Sequence, residues 1–283
     1  MFKSKRGKQV ALVLVLLLLL TSCAQIIDPS TGKIFPDKII DLTSPWSFSD
    51  LGWFNALIVW PLAQALNFLS QYINVTIAVV LVTLFTRLLT LPLTEKSTSM
   101  TQKMQQIQPD INRIEEKYRG LTDQNSQMRK AQETQALYQK HDINPLGSMG
   151  GLFIQFPIMI GMWQAVQRAQ SVLSGSLFGT PLETTPAQAL SNLNFAFVAI
   201  FVVMLITQFG AVKLPQYLAK KTRKVYPNEK ETKPQGQGMQ YFMVAFIAYL
   251  AFNWPTAMSI YWLSGNIMQL AQTYYIHNKY NKN

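Results

Sequence analysis

The sequence predicts an all-α integral membrane protein: five transmembrane helices, a cytoplasmic helical hairpin and an outer interfacial helix. Three observations predict it. Apolar stretches with almost no charge recur along the 283 residues, at 10–20, 51–69, 75–93, 147–166, 193–212, 239–252 and 255–276. Each is near the length that a helix rising about 1.5 Å per residue needs to approach or cross a hydrocarbon core of about 30 Å. Only 14% of residues are charged against 49% hydrophobic, a charge content low for a soluble domain. Finally, the net charge of +11 sits between the apolar stretches, where the positive-inside rule places it. That placement argues against nucleic acid as the reason for the charge, and no direct DNA binding is expected.

The elements follow in order. Residues 1–22 read as a signal peptide: Lys3, Lys5, Arg6 and Lys8 form a positive region, 10–20 an apolar core too short to span, and Leu20-Thr21-Ser22-Cys23 a small-residue cleavage site. An ordinary signal peptide or uncleaved anchor with an incidental cysteine fits these residues too. The tetrad resembles a bacterial lipobox, however, and the chain's only cysteine falls where a lipobox needs it. Cys23 is therefore the expected lipidation site, carrying a lipid such as palmitate on the outer face.

Basic residues crowd into 94–146 and 213–237 and are sparse in 24–74 and 171–192. The crowded loops, with Lys279 and Lys282, are expected in the cytoplasm. The spans are then 74–93, 147–170, 192–212, 238–253 and 255–276, with an outer loop at 171–191 and a cytoplasmic tail at 277–283. If 51–69 also spanned, the basic loop at 94–146 would fall outside. An interfacial helix over 53–73, following an extracytoplasmic segment at 23–52, is expected instead, with Trp53 and Trp60 suited to the headgroup layer.

In the first cytoplasmic loop Met100, Met104, Ile107, Ile111, Ile114 and Tyr118 recur at spacings of four and three, and the pattern resumes after 120–125. This is a helical hairpin with Pro109 kinking its first arm. It either connects or docks a partner, and the spacing alone does not choose. The second loop is basic and rich in Pro, Gly and Gln. Anionic lipid, ribosomal RNA or topology alone accounts for its charge.

Arg87 is the charge out of place. It lies six residues before Leu93, about 9 Å from the helix's cytoplasmic end. Snorkelling to the headgroups competes with a polar interior site, and a span-centre charge costs roughly 2.5–3.5 kcal/mol. Thr83 and Thr90 share its face, and no acidic residue lies in the five predicted spans. Gln155, Gln208 and Asn266 beside Trp262 are its polar companions in the other spans, and together they suggest a hydrated pocket. Catalytic residues, a metal site and a cofactor are not expected. His141 and His277 fall outside the spans, and no nucleophilic triad, metal-spaced cluster or phosphate loop can be assembled.

TRLLTLPLT around Arg87, HDINPLGSMGGLFIQFPIMIGMWQAV after the hairpin, and the closing FNWPTAMSIYWLSGNIMQLAQ together resemble the YidC family of membrane protein insertases. With the lipobox, the chain resembles the lipoprotein form of Gram-positive bacteria. The resemblance covers most of the chain after Trp53. It implies five spans around a hydrophilic groove that is open to cytoplasm and lipid, in which an arginine receives hydrophilic segments of nascent membrane proteins without nucleotide hydrolysis. By position Arg87 is that arginine, with Thr83, Gln155, Gln208 and Trp262 as groove residues. The Sec translocon and the ribosome are candidate partners, the resemblance leaving dependence on either open, and the expected location is the cell membrane. GSMGG after Leu146 departs from the family pattern, and the short tail after Ile276 weakens the ribosomal role. A channel or anion transporter using Arg87 as a selectivity charge is the alternative.

Overall fold

A computed structural model describes residues 34–222 and 237–281. Cys23, the signal peptide and most of the second basic loop lie outside the described residues. The described residues divide into two compact units, 34–78 with 156–183, and 79–155 with 184–222 and 237–281.

In the first unit, helix α1 (Phe48–Phe54) starts on Ser47, whose hydroxyl accepts from the Asp50 amide, and is kinked at Gly52 (φ 71°). Only glycine takes that backbone angle without strain. One wide turn, Asn55–Val59, leads into α2 (Trp60–Leu69). Phe54, Ala56, Val59, Ala63 and Leu66 are buried at helical spacing, while Trp53, Leu57 and Phe68 are exposed. The carboxyl-terminal half of α6 (Pro145–Arg168) meets Ile58 and Leu62 beside that stripe, and any side chain at Gly161 would collide with Ile58. The short α7 (Gln170–Leu173) and a two-residue hairpin pairing Ser176–Leu177 with Thr180–Pro181 complete this part. The expected interfacial segment is thus helical, beginning five residues before Trp53.

Helix α3 (Val75–Gln106), in the second unit from Val79 onward, runs unbroken through Pro92 and thirteen residues past Leu93, where the span was expected to end. Thr86, Thr90, Thr94 and Thr101 each donate a hydroxyl to a carbonyl one turn back, so polar residues there do not end the helix. Gln102 Nε2 donates to the Thr273 carbonyl at 3.2 Å, and Glu95 pairs with Lys279 at 2.6 Å. The extension is therefore held along the last helix, α11 (Thr256–Asn281).

The expected helical hairpin is α4 (Gln108–Lys117) and α5 (Gln124–Lys140). Pro109 does not kink an arm as expected. The break comes at Ile107, two residues earlier, and Pro109 occupies the first turn of the new helix, where its missing N–H costs nothing. Ile107, Ile111 and Ile143 form the hairpin's core with Met104, Leu137 and Tyr138.

The remaining helices are α8 (Pro186–Ser191), opened by a Thr185–Gln188 capping box, α9 (Phe195–Thr222) and α10 (Gln237–Asn253). Thr256 binds the Thr184 carbonyl through its amide and its hydroxyl, which fixes the start of α11. Among the described residues two stretches, Val75–Pro92 and Phe195–Lys221, are long and apolar enough to cross a membrane, and Gln240–Asn253 is a shorter apolar helix. Their outward faces carry Leu81, Phe85, Leu88 and Leu89, then Val202, Ile206 and Phe209, then Phe242 and Phe246, all exposed. Water does not tolerate such apolar faces on several adjacent elements. This is a mostly helical membrane protein.

Candidate functional site

Arg87 stands in the apolar part of α3, where every neighbouring turn is hydrophobic or threonine. Its guanidinium lies across Gly265 of α11: a methyl group added there would sit 3.0 Å from Nη2 and 3.5 Å from Nε. The missing side chain at Gly265 leaves room for the guanidinium beside the neighbouring helix. Tyr261, one turn earlier on α11, is 2% exposed and lies within electrostatic reach of Arg87. Gln155 lies near the Tyr261 hydroxyl. Arg87, Gly265, Tyr261 and Gln155 therefore form one cluster drawn from α3, α6 and α11.

A guanidinium offers five donors and no acceptor, and no carboxylate among the described residues takes up those of Arg87. In surroundings this apolar, an acidic or carbonyl-rich segment is the chemistry they suit.

The other expected groove residues are placed differently. Thr83 is fully buried and donates its hydroxyl to the Val79 carbonyl at 2.7 Å. Thr90 turns its hydroxyl back to Thr86 at 2.9 Å. Trp262 is 6% exposed and stacks on Trp254, with ring centroids 5.7 Å apart. Gln208 is half-buried on α9, next to Thr207, whose hydroxyl receives Asn266 Nδ2 at 3.5 Å. That last contact is a helix-to-helix hydrogen bond.

Sequence reasoning missed Gly265 and Tyr261. The glycine carries no charge to attract notice, and the tyrosine sits in a run of aromatic residues. It also passed over Arg168, a second buried arginine at the end of the expected second span. Arg168 is 6% exposed, donating Nε to the Lys38 carbonyl at 2.7 Å and Nη1 to Asn55 Oδ1 at 2.9 Å. A lone cation at the end of a span expected to face outward, against the positive-inside rule, was the available signal.

A family model described as 60Kd inner membrane protein matches residues 67–283. The chain is 33% identical over 222 residues to the membrane protein insertase MisCA of Bacillus subtilis (strain 168), covering 77% of each. It is 31% identical over 277 residues to a membrane protein insertase YidC of Oceanobacillus iheyensis, covering 97% of each. With membrane protein insertase YidC 2 of Bacillus anthracis it shares 30% over 277 residues, covering 97% of this chain and 94% of that one.

Proposed function

The chain belongs to the YidC family of membrane protein insertases, and from that premise we propose that it receives hydrophilic segments of nascent membrane proteins at Arg87 and releases their helices into the bilayer. The single observation that carries the reading is the guanidinium laid across Gly265 with no carboxylate to meet it among the described residues.

The energetics favour a passive device. A client helix of about 20 apolar residues at roughly −0.3 to −0.6 kcal/mol each gains on the order of 6–12 kcal/mol on entering lipid. The obstacle is its polar flank, whose desolvation opposes the crossing. A cation within the apolar layer gives an acidic flank a partner part of the way, in surroundings where the attraction is stronger than in water. Gln155 and the Tyr261 hydroxyl supply neutral hydrogen-bonding groups beside it. Gln208 and the buried Thr83 and Trp262 shape its surroundings. No step in this sequence consumes nucleotide. In this reading the five spans are those expected from the sequence, the lipidated amino terminus lies outside, the carboxyl terminus lies in the cytoplasm, and the Sec translocon and ribosome are partners on the client's route.

Site-specific photocrosslinking tests the reading. A probe at Gln155 is expected to capture a nascent single-span client, whereas a probe at Phe85, 66% exposed on the same unit, captures lipid. Equal capture of client at both positions, or none at Gln155, contradicts it.

A further inference from the structure

The small β-hairpin of the first unit carries a backbone strain that its own contacts do not explain. Its two-residue turn, Phe178-Gly179, has positive φ at both positions, 52° and 78°. Turns of that hand favour Asn, Asp or Gly at the first position, because a larger side chain there crowds the backbone. Phe178 is the opposite choice. It is bulky and apolar, and at 79% exposure it is the most exposed large hydrophobic side chain among the described residues. A methyl group added at Gly179 would meet nothing within 4 Å, so the tip stands clear of the protein.

The base of the hairpin fixes where that tip stands. Leu182 is fully buried, and its amide donates to the Gly175 carbonyl at 3.0 Å. Gly175 packs on Val75: a Cβ there would lie 2.6 Å from Val75 Cγ1 and 2.7 Å from the Ser171 carbonyl oxygen. Val75 is the first residue of an apolar stretch long enough to cross a membrane. Phe178, three residues after Gly175, is therefore held within about 11 Å of the point where the hairpin meets that stretch. A second exposed aromatic group borders the same end of α3. Phe68 and Tyr72, 53% and 72% exposed, meet edge to face with centroids 5.3 Å apart. Aromatic rings collect at this depth in membrane proteins, where tails give way to headgroups. Neither 51–86 nor 169–182 contains a charged residue.

We propose that the β-hairpin is a lipid anchor, with Phe178 inserted among the lipids of the leaflet at the Val75 end of α3, the outer leaflet in the proposed topology. Two features select lipid over a protein partner. One ring on a two-residue turn offers far less than the roughly 800 Å² per partner of a stable protein interface, and the charge-free surroundings hold nothing to orient a protein. Lipid needs neither, because a single large apolar side chain gains simply by leaving water. Burial of the ring in the bilayer then offsets the unfavourable angle at Phe178. The anchor acts whether or not Arg87 receives a client.

Photocrosslinking in vesicles tests the anchor. The full chain, with p-benzoylphenylalanine in place of Phe178, is reconstituted in phosphatidylcholine bearing a clickable tail, and a single-span client is supplied. The probe is expected to capture lipid at a level near that of a probe at Phe85, while one at Gln124, exposed on α5, captures none. A probe at Ser176, the neighbouring exposed strand position, separates the ring from the turn. Phe178→Asn suits the turn better and should keep the unfolding midpoint, yet lose most of the lipid capture at Ser176, whereas Phe178→Trp keeps it. Absence of lipid capture at position 178, or capture there of the client or of a second copy of the chain instead, would overturn the proposal. Undiminished lipid capture at Ser176 in Phe178→Asn would overturn it too, since the hairpin would then be seated without the ring.

Discussion

Arg87 and Arg168 are both arginines in largely apolar helices, yet the fold treats them in opposite ways. Arg168 is engaged by the chain: Lys38 and Asn55 accept two of its donors, while its own carbonyl receives the Ile40 amide at 2.7 Å. Around it Asn67 Nδ2 donates to the Ile40 carbonyl, and the Ser171 amide returns to Asn67 Oδ1. A residue that should be costly to bury becomes the clasp joining residues 38–40, the first helices and the end of α6. Arg87 receives no such treatment: a glycine makes room for it, and no carboxylate closes on it. The difference teaches where to look for function, because stability explains the first arginine and leaves the second without a structural reason.

Charge reversal should break the comparison most severely. Arg87→Glu is expected to lower insertion of a client with an acidic flank at least about tenfold, the factor for 1.4 kcal/mol, and to hurt a basic-flanked client less. Insertion assays with paired clients read this out. Next comes the clasp: Arg168→Gln leaves Lys38 and Asn55 without their partner and should cost about 3 kcal/mol of stability, seen as a lower thermal unfolding midpoint. A smaller effect is expected at Gly265→Ala, where the new methyl must displace the guanidinium by a few tenths of an ångström. Insertion should fall by about threefold with unfolding unchanged.

The smallest effect lies in the hairpin. Lys117 and the Tyr118 hydroxyl bond Glu133 and hold its carboxyl below the usual range. A carboxylate whose pKa is depressed by folding stabilises the fold above its unfolded value, and the contribution is lost as the pH falls through the folded one. Glu133→Gln should therefore speed amide exchange in 124–140 slightly at neutral pH, and the difference should vanish in acid.

Much of this was legible in the order of residues. Apolar length announced the helices, charge between them announced the loops, and Arg87 stood out because a cation interrupts an otherwise apolar helix. Helix ends were less legible. Helix α3 runs through Pro92 to Gln106 with its threonine hydroxyls bonded back onto the helix, and a break at Ile107 replaced the expected kink at Pro109. Least legible were partners made by close approach. Gly265 matters for what it lacks, and Trp262 turned to Trp254 because ring stacking depends on how the turn at 254–255 folds.

The most direct test measures insertion and stability together. A small single-span client with an acidic tail is offered to liposomes carrying the wild type, Arg87→Gln or Arg168→Gln, without nucleotide, with solute leakage followed in parallel and activity expressed per folded molecule. The account predicts that Arg87→Gln loses insertion but keeps its unfolding midpoint, while Arg168→Gln loses stability but keeps insertion, and that no vesicle leaks. Full insertion by Arg87→Gln, or solute flux that depends on Arg87, would contradict it.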